Sequence, residues 1–104
     1  MDNLGGKQME MFVSKDAANW YKNELHLQQG DAIRFFVQYG GCSTVQKGLS
    51  LGIRKDLPVN PAAQTTENGV TFFIEEDDEW YFDGHNLSVV YEPNAEAPNF
   101  QYEK

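Results

Sequence analysis

Between residues 32 and 39 the chain alternates without a break, with Ile33, Phe35, Val37 and Tyr39 on one side and Ala32, Arg34, Phe36 and Gln38 on the other. Side chains of a strand point to opposite faces in turn, so this period of two predicts a strand with one face in a core. Apolar runs at residues 70–75, 80–82 and 87–91, and a weaker one at 44–53, predict further strands. A helical period occurs near the N-terminus, where Ala17, Ala18, Trp20, Tyr21 and Leu25 recur at three- and four-residue spacing behind Ser14 and Asp16. Ser14 is a good N-cap and Asp16 suits the positive end of the helix dipole, so one helix is expected over residues 14–27, ended by Gly30-Asp31. The fold class is therefore mainly β, of α+β type, with one N-terminal helix.

Turn residues divide the rest. Residues 54–69 contain Pro58, Asn60, Pro61, Asn68 and Gly69 and read as a long loop. Glu76-Asp77-Asp78 and Asp83-Gly84-His85 read as short polar turns, the Asp-Gly pair being a strong hairpin signal, so an antiparallel meander is expected at this end. The tail from Pro93 to Lys104 reads as irregular, with Phe100 and Tyr102 as anchors.

At 104 residues the chain fits a single domain, expected over residues 14–104, behind an N-terminal extension and lead-in at residues 1–13. A domain of this size buries about two-thirds of its unfolded surface, enough for a thin core without disulfides. No run of residues reaches the length of an apolar membrane span, and the first residues lack the basic-then-apolar pattern of a secretory signal. With a lone cysteine and so no internal disulfide, these features point to the cytoplasm. Residues 1–66 carry six acids and seven bases, whereas residues 67–104 carry ten acids and one base. A net charge of −8 repels phosphate backbones and anionic lipid, which disfavours nucleic acid and membrane surfaces as partners.

Cys42 is the residue most suggestive of chemistry. It sits in Gly40-Gly41-Cys42-Ser43 between two expected strands, in a stretch that holds Arg34, Lys47, Arg54 and Lys55 and no acid between Asp31 and Asp56. Local positive charge favours the thiolate, which ligates metals and attacks electrophiles, whereas a cysteine in a tight turn also serves as a small packing residue. The run Glu75-Glu76-Asp77-Asp78-Glu79 lacks the spacing that wraps a cation and reads as a solvated turn. His85 beside Asp83 fits a hairpin turn as well as it fits a base or auxiliary ligand. His26 suits a helix C-terminus.

Arg34-Phe35-Phe36-Val37-Gln38-Tyr39-Gly40 leading into Gly41-Cys42-Ser43, with the later Phe72-Phe73-Ile74-Glu75 and Trp80-Tyr81-Phe82-Asp83-Gly84, resembles the HesB/IscA-like family of A-type iron–sulfur carriers over residues 14–91. The resemblance implies a partly open barrel or sandwich of antiparallel and mixed strands with a packed helix, and carries over Cys42 as a metal ligand. The family's C-terminal Cys-Gly-Cys has no counterpart, since residues 92–104 hold no cysteine. Clusters are usually held by four ligands, so a site with one cysteine per chain is incomplete and would draw on His85 and Asp83 as auxiliary ligands. The resemblance thus implies a single-cysteine accessory protein of iron–sulfur cluster assembly or iron handling. It acts by binding rather than catalysis, with iron or a labile cluster as cofactor, iron–sulfur assembly proteins as partners, and a monomeric or weakly homodimeric state. The alternative is a protein-interaction domain that keeps the fold without metal binding.

Overall fold

The computed structural model describes residues 9–41, 43 and 45–104. Within them the elements run β1 (Met11–Val13), α1 (Lys15–Glu24), β2 (Ala32–Tyr39), β3 (Leu49–Lys55), β4 (Pro61–Glu67), β5 (Val70–Glu75), a 3-10 helix (Glu76–Phe82), β6 (Asn86–Val90) and β7 (Asn99–Glu103). The strands form two sheets, ordered β3-β2-β5-β4 and β1-β6-β7. Both are mixed: β2 runs parallel to β5 and β1 parallel to β6, while the other pairs are antiparallel. The expected mainly β, α+β architecture with one N-terminal α-helix is therefore what the chain adopts, as an open two-sheet arrangement.

The period-two pattern of β2 puts Ile33 and Phe35 in the core as predicted, but the core ends before Tyr39, which is 94% exposed. Ile33 and Phe35 are fully buried and join Phe72 and Ile74 of β5 in one core with Val13, Leu87 and Val89 of the smaller sheet. Ala17, Ala18 and Tyr21 turn one face of α1 into the same core. Two alanines allow close approach there, and the Tyr21, Phe35 and Phe72 rings lie about 6 Å apart, within the range of favourable aromatic pairs. Phe100 of β7 meets Phe35 edge-on at 5.6 Å and ties the sheets together. The Tyr81 and Tyr102 hydroxyls share a hydrogen bond of 3.0 Å.

Several elements differ from expectation, each for a local reason. The helix stops earlier than Gly30, because His26 adopts a left-handed conformation (φ 55°). Leu27 N–H then donates back to the Lys22 carbonyl and Leu25 N–H to Tyr21, a double closure that satisfies the last carbonyls. Residues 61–67, expected as loop, form edge strand β4, where Pro61 at the first position removes no donor the ladder needs. Asn68-Gly69, both at positive φ, then close a two-residue hairpin into β5. Residues 80–82 belong to the 3-10 helix and not to a strand, so the expected meander is replaced by a crossing from one sheet to the other. The tail folds back as β7, its Phe100 and Tyr102 packed against the core.

One connection has an unusual path. β3 and β4 are the two outer strands of the four-stranded sheet, so residues 56–60 must cross β2 and β5 to join them. They leave beside Ala32, whose carbonyl accepts from Asp56 N–H, and arrive beside Glu75, which pairs with Pro61. The crossing passes over the sheet face opposite Phe35, Phe72 and Ile74, the face to which alternation assigns Arg34, Phe73 and Glu75.

Candidate interaction site

Glu75 is the one buried charged residue among those described, with 8% of its surface exposed. A carboxylate leaves water at large cost unless donors converge on it. Here its two oxygens accept from Val59 N–H at 2.8 Å and Asn60 N–H at 2.9 Å. Asn60 is held further by its own carbonyl, which accepts from Glu76 N–H at 3.0 Å, and by its side-chain amide on Glu76 at 2.9 Å. At the other end Leu57 N–H donates to Asp56 Oδ1 at 2.8 Å. Pro58 has no N–H, so every backbone donor of the crossing segment is engaged within the chain.

Below the segment, Arg34 acts as a hub. Its guanidinium contacts Asp78 at 2.9 Å and Asp56 at 3.8 Å, and Asp56 also receives Arg54 at 3.4 Å. Arg34 Nε is buried and meets no acceptor among the described residues. Arg34, Asp56, Leu57, Val59, Asn60 and the acidic residues 75–77 border a cleft of about 330 Å³. The acidic run is thus only partly solvated: Glu76 and Asp77 are exposed, whereas Glu75 is buried. It starts the 3-10 helix, and Glu75, Glu76 and Asp78 each hold a partner.

The same segment that is pinned by its backbone throws its side chains outward. Leu57 is 72% and Val59 88% exposed. Tyr39, at the opposite end of β2, is 94% exposed, and Phe12 and Trp80 are also largely in water. Leu57 and Val59 were legible only as residues of a long loop. The available signal was the presence of two large aliphatic residues around a proline where a surface loop usually carries polar ones.

Of the residues singled out for chemistry, Cys42 lies outside the described residues. Its neighbours Gly40 and Gly41 both take positive φ and turn β2 toward β3. Asp83, at φ 50°, is the left-handed cap of the 3-10 helix, and its N–H donates to the Trp80 carbonyl. His85 Nδ1 lies 2.9 Å from the Phe82 carbonyl, which only accepts, so Nδ1 carries the hydrogen. The two residues therefore close the end of that helix. Among the described residues no three His, Cys, Asp or Glu side chains gather as metal ligands, and no helix is long and apolar enough to cross a membrane.

Fold and surface together define a small two-sheet α+β domain that presents a pinned apolar segment over an ion-paired cluster. In sequence the chain is similar to a Bacillus subtilis protein named pyruvate dehydrogenase inhibitor, at 55% identity over 95 residues that cover 91% of this chain and all of the relative. It is also 37% identical over 84 residues to a Staphylococcus saprophyticus protein, covering 78% of this chain and 86% of that one. Identity of this extent over nearly the whole length shows that the chain belongs to the family of the Bacillus subtilis protein. No family model matches the chain.

These findings overturn the resemblance to HesB/IscA-like carriers, and with it the accessory role in iron–sulfur assembly and the iron–sulfur assembly partners. The physical reason is the nature of the matching residues. Gly40-Gly41 serves a hairpin turn, and the Trp80–Gly84 stretch is a 3-10 helix with its cap. Short motifs of this kind arise from turn chemistry in unrelated chains. The other reading of the sequence, a protein-interaction domain, agrees better with the relative's name.

Proposed function

We propose that this chain is a non-catalytic regulator that binds pyruvate dehydrogenase and lowers its activity. The observation that carries the reading is the 55% identity to a relative of that name, aligned over the relative's entire length. An inhibitor of an enzyme needs a rigid surface and no chemistry of its own. A pinned segment with exposed aliphatic side chains suits that need, because groups ordered in advance lose little entropy on docking. The reading asks nothing of Cys42, His85 or Asp83, and an inhibitor must share its target's compartment, which fits the cytoplasm.

The test is direct. Purified Bacillus subtilis pyruvate dehydrogenase complex is assayed for pyruvate-dependent NADH formation while this protein is titrated in. Saturable inhibition, with binding measured in parallel by interferometry, is the expected result. Unchanged activity at protein concentrations far above that of the enzyme, with no binding, refutes the proposal.

A further inference from the structure

The path of residues 56–60 sets a tight length condition. From Lys55 to Pro61 the chain crosses three strand spacings of about 4.8 Å, close to 14 Å in all. Lys55 lies level with Ile33 and hence Phe72, and Pro61 lies level with Glu75, so the chain also climbs three residues, about 10 Å. The span is thus about 17 Å, and six steps of fully extended chain reach only about 20 Å. The segment is a nearly taut strap. In such a backbone residues two apart share a side, as Leu57 and Val59 do; residues 57–60 are all exposed, and these two carry the large aliphatic side chains among them.

The engaged N–H groups narrow what the strap can recognise. Asp56, Leu57, Val59 and Asn60 all donate internally and Pro58 cannot donate, so a partner strand finds no row of free donors to pair with. What remains on offer is a pair of aliphatic side chains about 7 Å apart. Beside them stand the exposed carboxylates of Glu76 and Asp77, while Asp56 and Asp78 are paired with the guanidiniums of Arg34 and Arg54 and Glu75 lies buried under the strap. The matching surface is therefore an apolar recess with a cationic rim. A second copy of this chain, itself at net charge −8, is a poor candidate.

We propose that the strap is the docking edge of this protein, inserting Leu57 and Val59 into an apolar, cation-rimmed recess on its enzyme target. The proposal rests on the reading of the chain as an inhibitor of pyruvate dehydrogenase and adds the surface by which it acts. Both side chains stand in water in the free protein, so replacing them leaves the fold intact. In complex they sit at the centre of the contact, where a few residues carry most of the affinity.

Wild type, Leu57→Ser/Val59→Ser, the conservative Leu57→Met/Val59→Ile, and Tyr39→Ser are compared against purified Bacillus subtilis pyruvate dehydrogenase complex. Inhibition, binding and melting temperature are recorded for each. The serine pair is expected to weaken binding and inhibition at least about tenfold with little change in melting temperature, as loss of a central contact does. The Met/Ile pair and Tyr39→Ser should stay close to wild type, and raised salt should weaken the wild-type complex. If wild type inhibits and the serine pair inhibits equally well, the strap proposal is wrong and the inhibitor reading stands. If Tyr39→Ser is the damaging change, the docking edge lies at the β2–β3 end instead. If wild type neither binds nor inhibits, the functional reading falls and takes the strap with it. Self-association of wild type, lost in the serine pair, identifies a second copy as the occupant and overturns the proposal.

Discussion

Replacing Glu75 by glutamine tests whether one buried carboxylate holds the strap in place. The carboxylate accepts from Val59 and Asn60 N–H through separate oxygens, at 2.8 and 2.9 Å. Glutamine keeps one acceptor, turns the other into a donor facing a donor, and removes the charge that strengthens both bonds. A hydrogen bond to a charged group contributes about 1.5–3 kcal/mol, and an unpaired buried group costs a similar amount. Val59 and Asn60 are exposed enough for water to replace part of the loss. The net cost is then about 1–2 kcal/mol, and Glu75→Ala, which removes both acceptors, should cost about twice that. For a domain of this size, 1 kcal/mol displaces the melting temperature by about 4–8 °C, so the glutamine variant should melt roughly 5–10 °C lower. Urea denaturation gives the free energy. Hydrogen exchange adds location, since the amides of Val59 and Asn60 should lose protection while Phe35 and Phe72 keep theirs. A cost below about 0.3 kcal/mol, well under the expected loss of one charged bond, would refute the reasoning, as would an even loss of protection across the whole sheet.

Two further outcomes follow from the packing. Burial, and then the bond to Tyr81, hold the Tyr102 phenol well above its usual range, and burial does the same for Tyr21. A folded pKa raised above the unfolded one gives stability that is complete below about pH 10 and is lost above it, at up to about 1.4 kcal/mol per pH unit for each group. Melting temperature should therefore fall above pH 10, less steeply in Tyr102→Phe, and an unaltered slope in that variant refutes the assignment. Gly52 of β3 lies under the Phe36 ring, where an added methyl would sit 2.6 Å from the ring edge and disturb the contact with Arg54 stacked at 5.0 Å. Gly52→Ala should cost about 1–3 kcal/mol by overpacking, measured by urea denaturation, and a neutral result contradicts that account.

How far the sequence reached depended on whether local pattern or distant partners decided an element. The bounds of β2 and β5 were legible because their apolar runs are flanked by turn residues and carry Ile33, Phe35, Phe72 and Ile74 to the core, though burial of Phe73 and Glu75 on the other face of β5 was not. β4 was not, since Pro58, Asn60 and Pro61 outweighed it locally. Its pairing to β5 stabilises it, and Asn68-Gly69 was the overlooked hairpin sign. Residues 80–82 look like a strand because Trp, Tyr and Phe favour strands. Yet Tyr81 and Phe82 are buried from a 3-10 turn that plugs the space between the sheets, a tertiary choice overriding propensity. The candidate site was the least legible part. Glu75 reads as the first member of an acidic run, and nothing nearby in sequence says that its partners are sixteen and fifteen residues earlier.

That separation also explains why the apolar strap can exist at all. A five-residue link free to move would turn Leu57 and Val59 toward the sheet, where their burial is favourable by about 1.5–3 kcal/mol each. The short crossing removes that freedom, because a nearly taut chain has almost no slack with which to rotate. The carboxylate of Glu75 then fixes the register at the arriving end and Asp56 fixes it at the leaving end. Two anchors and a short tether thus hold aliphatic side chains in water against their own preference. Lengthening the tether tests this, for one glycine inserted after Pro58 supplies about 3.3 Å of slack. The strap should then fold inward, reducing the exposure of residues 57 and 59 to a lipophilic dye while leaving both sheets intact.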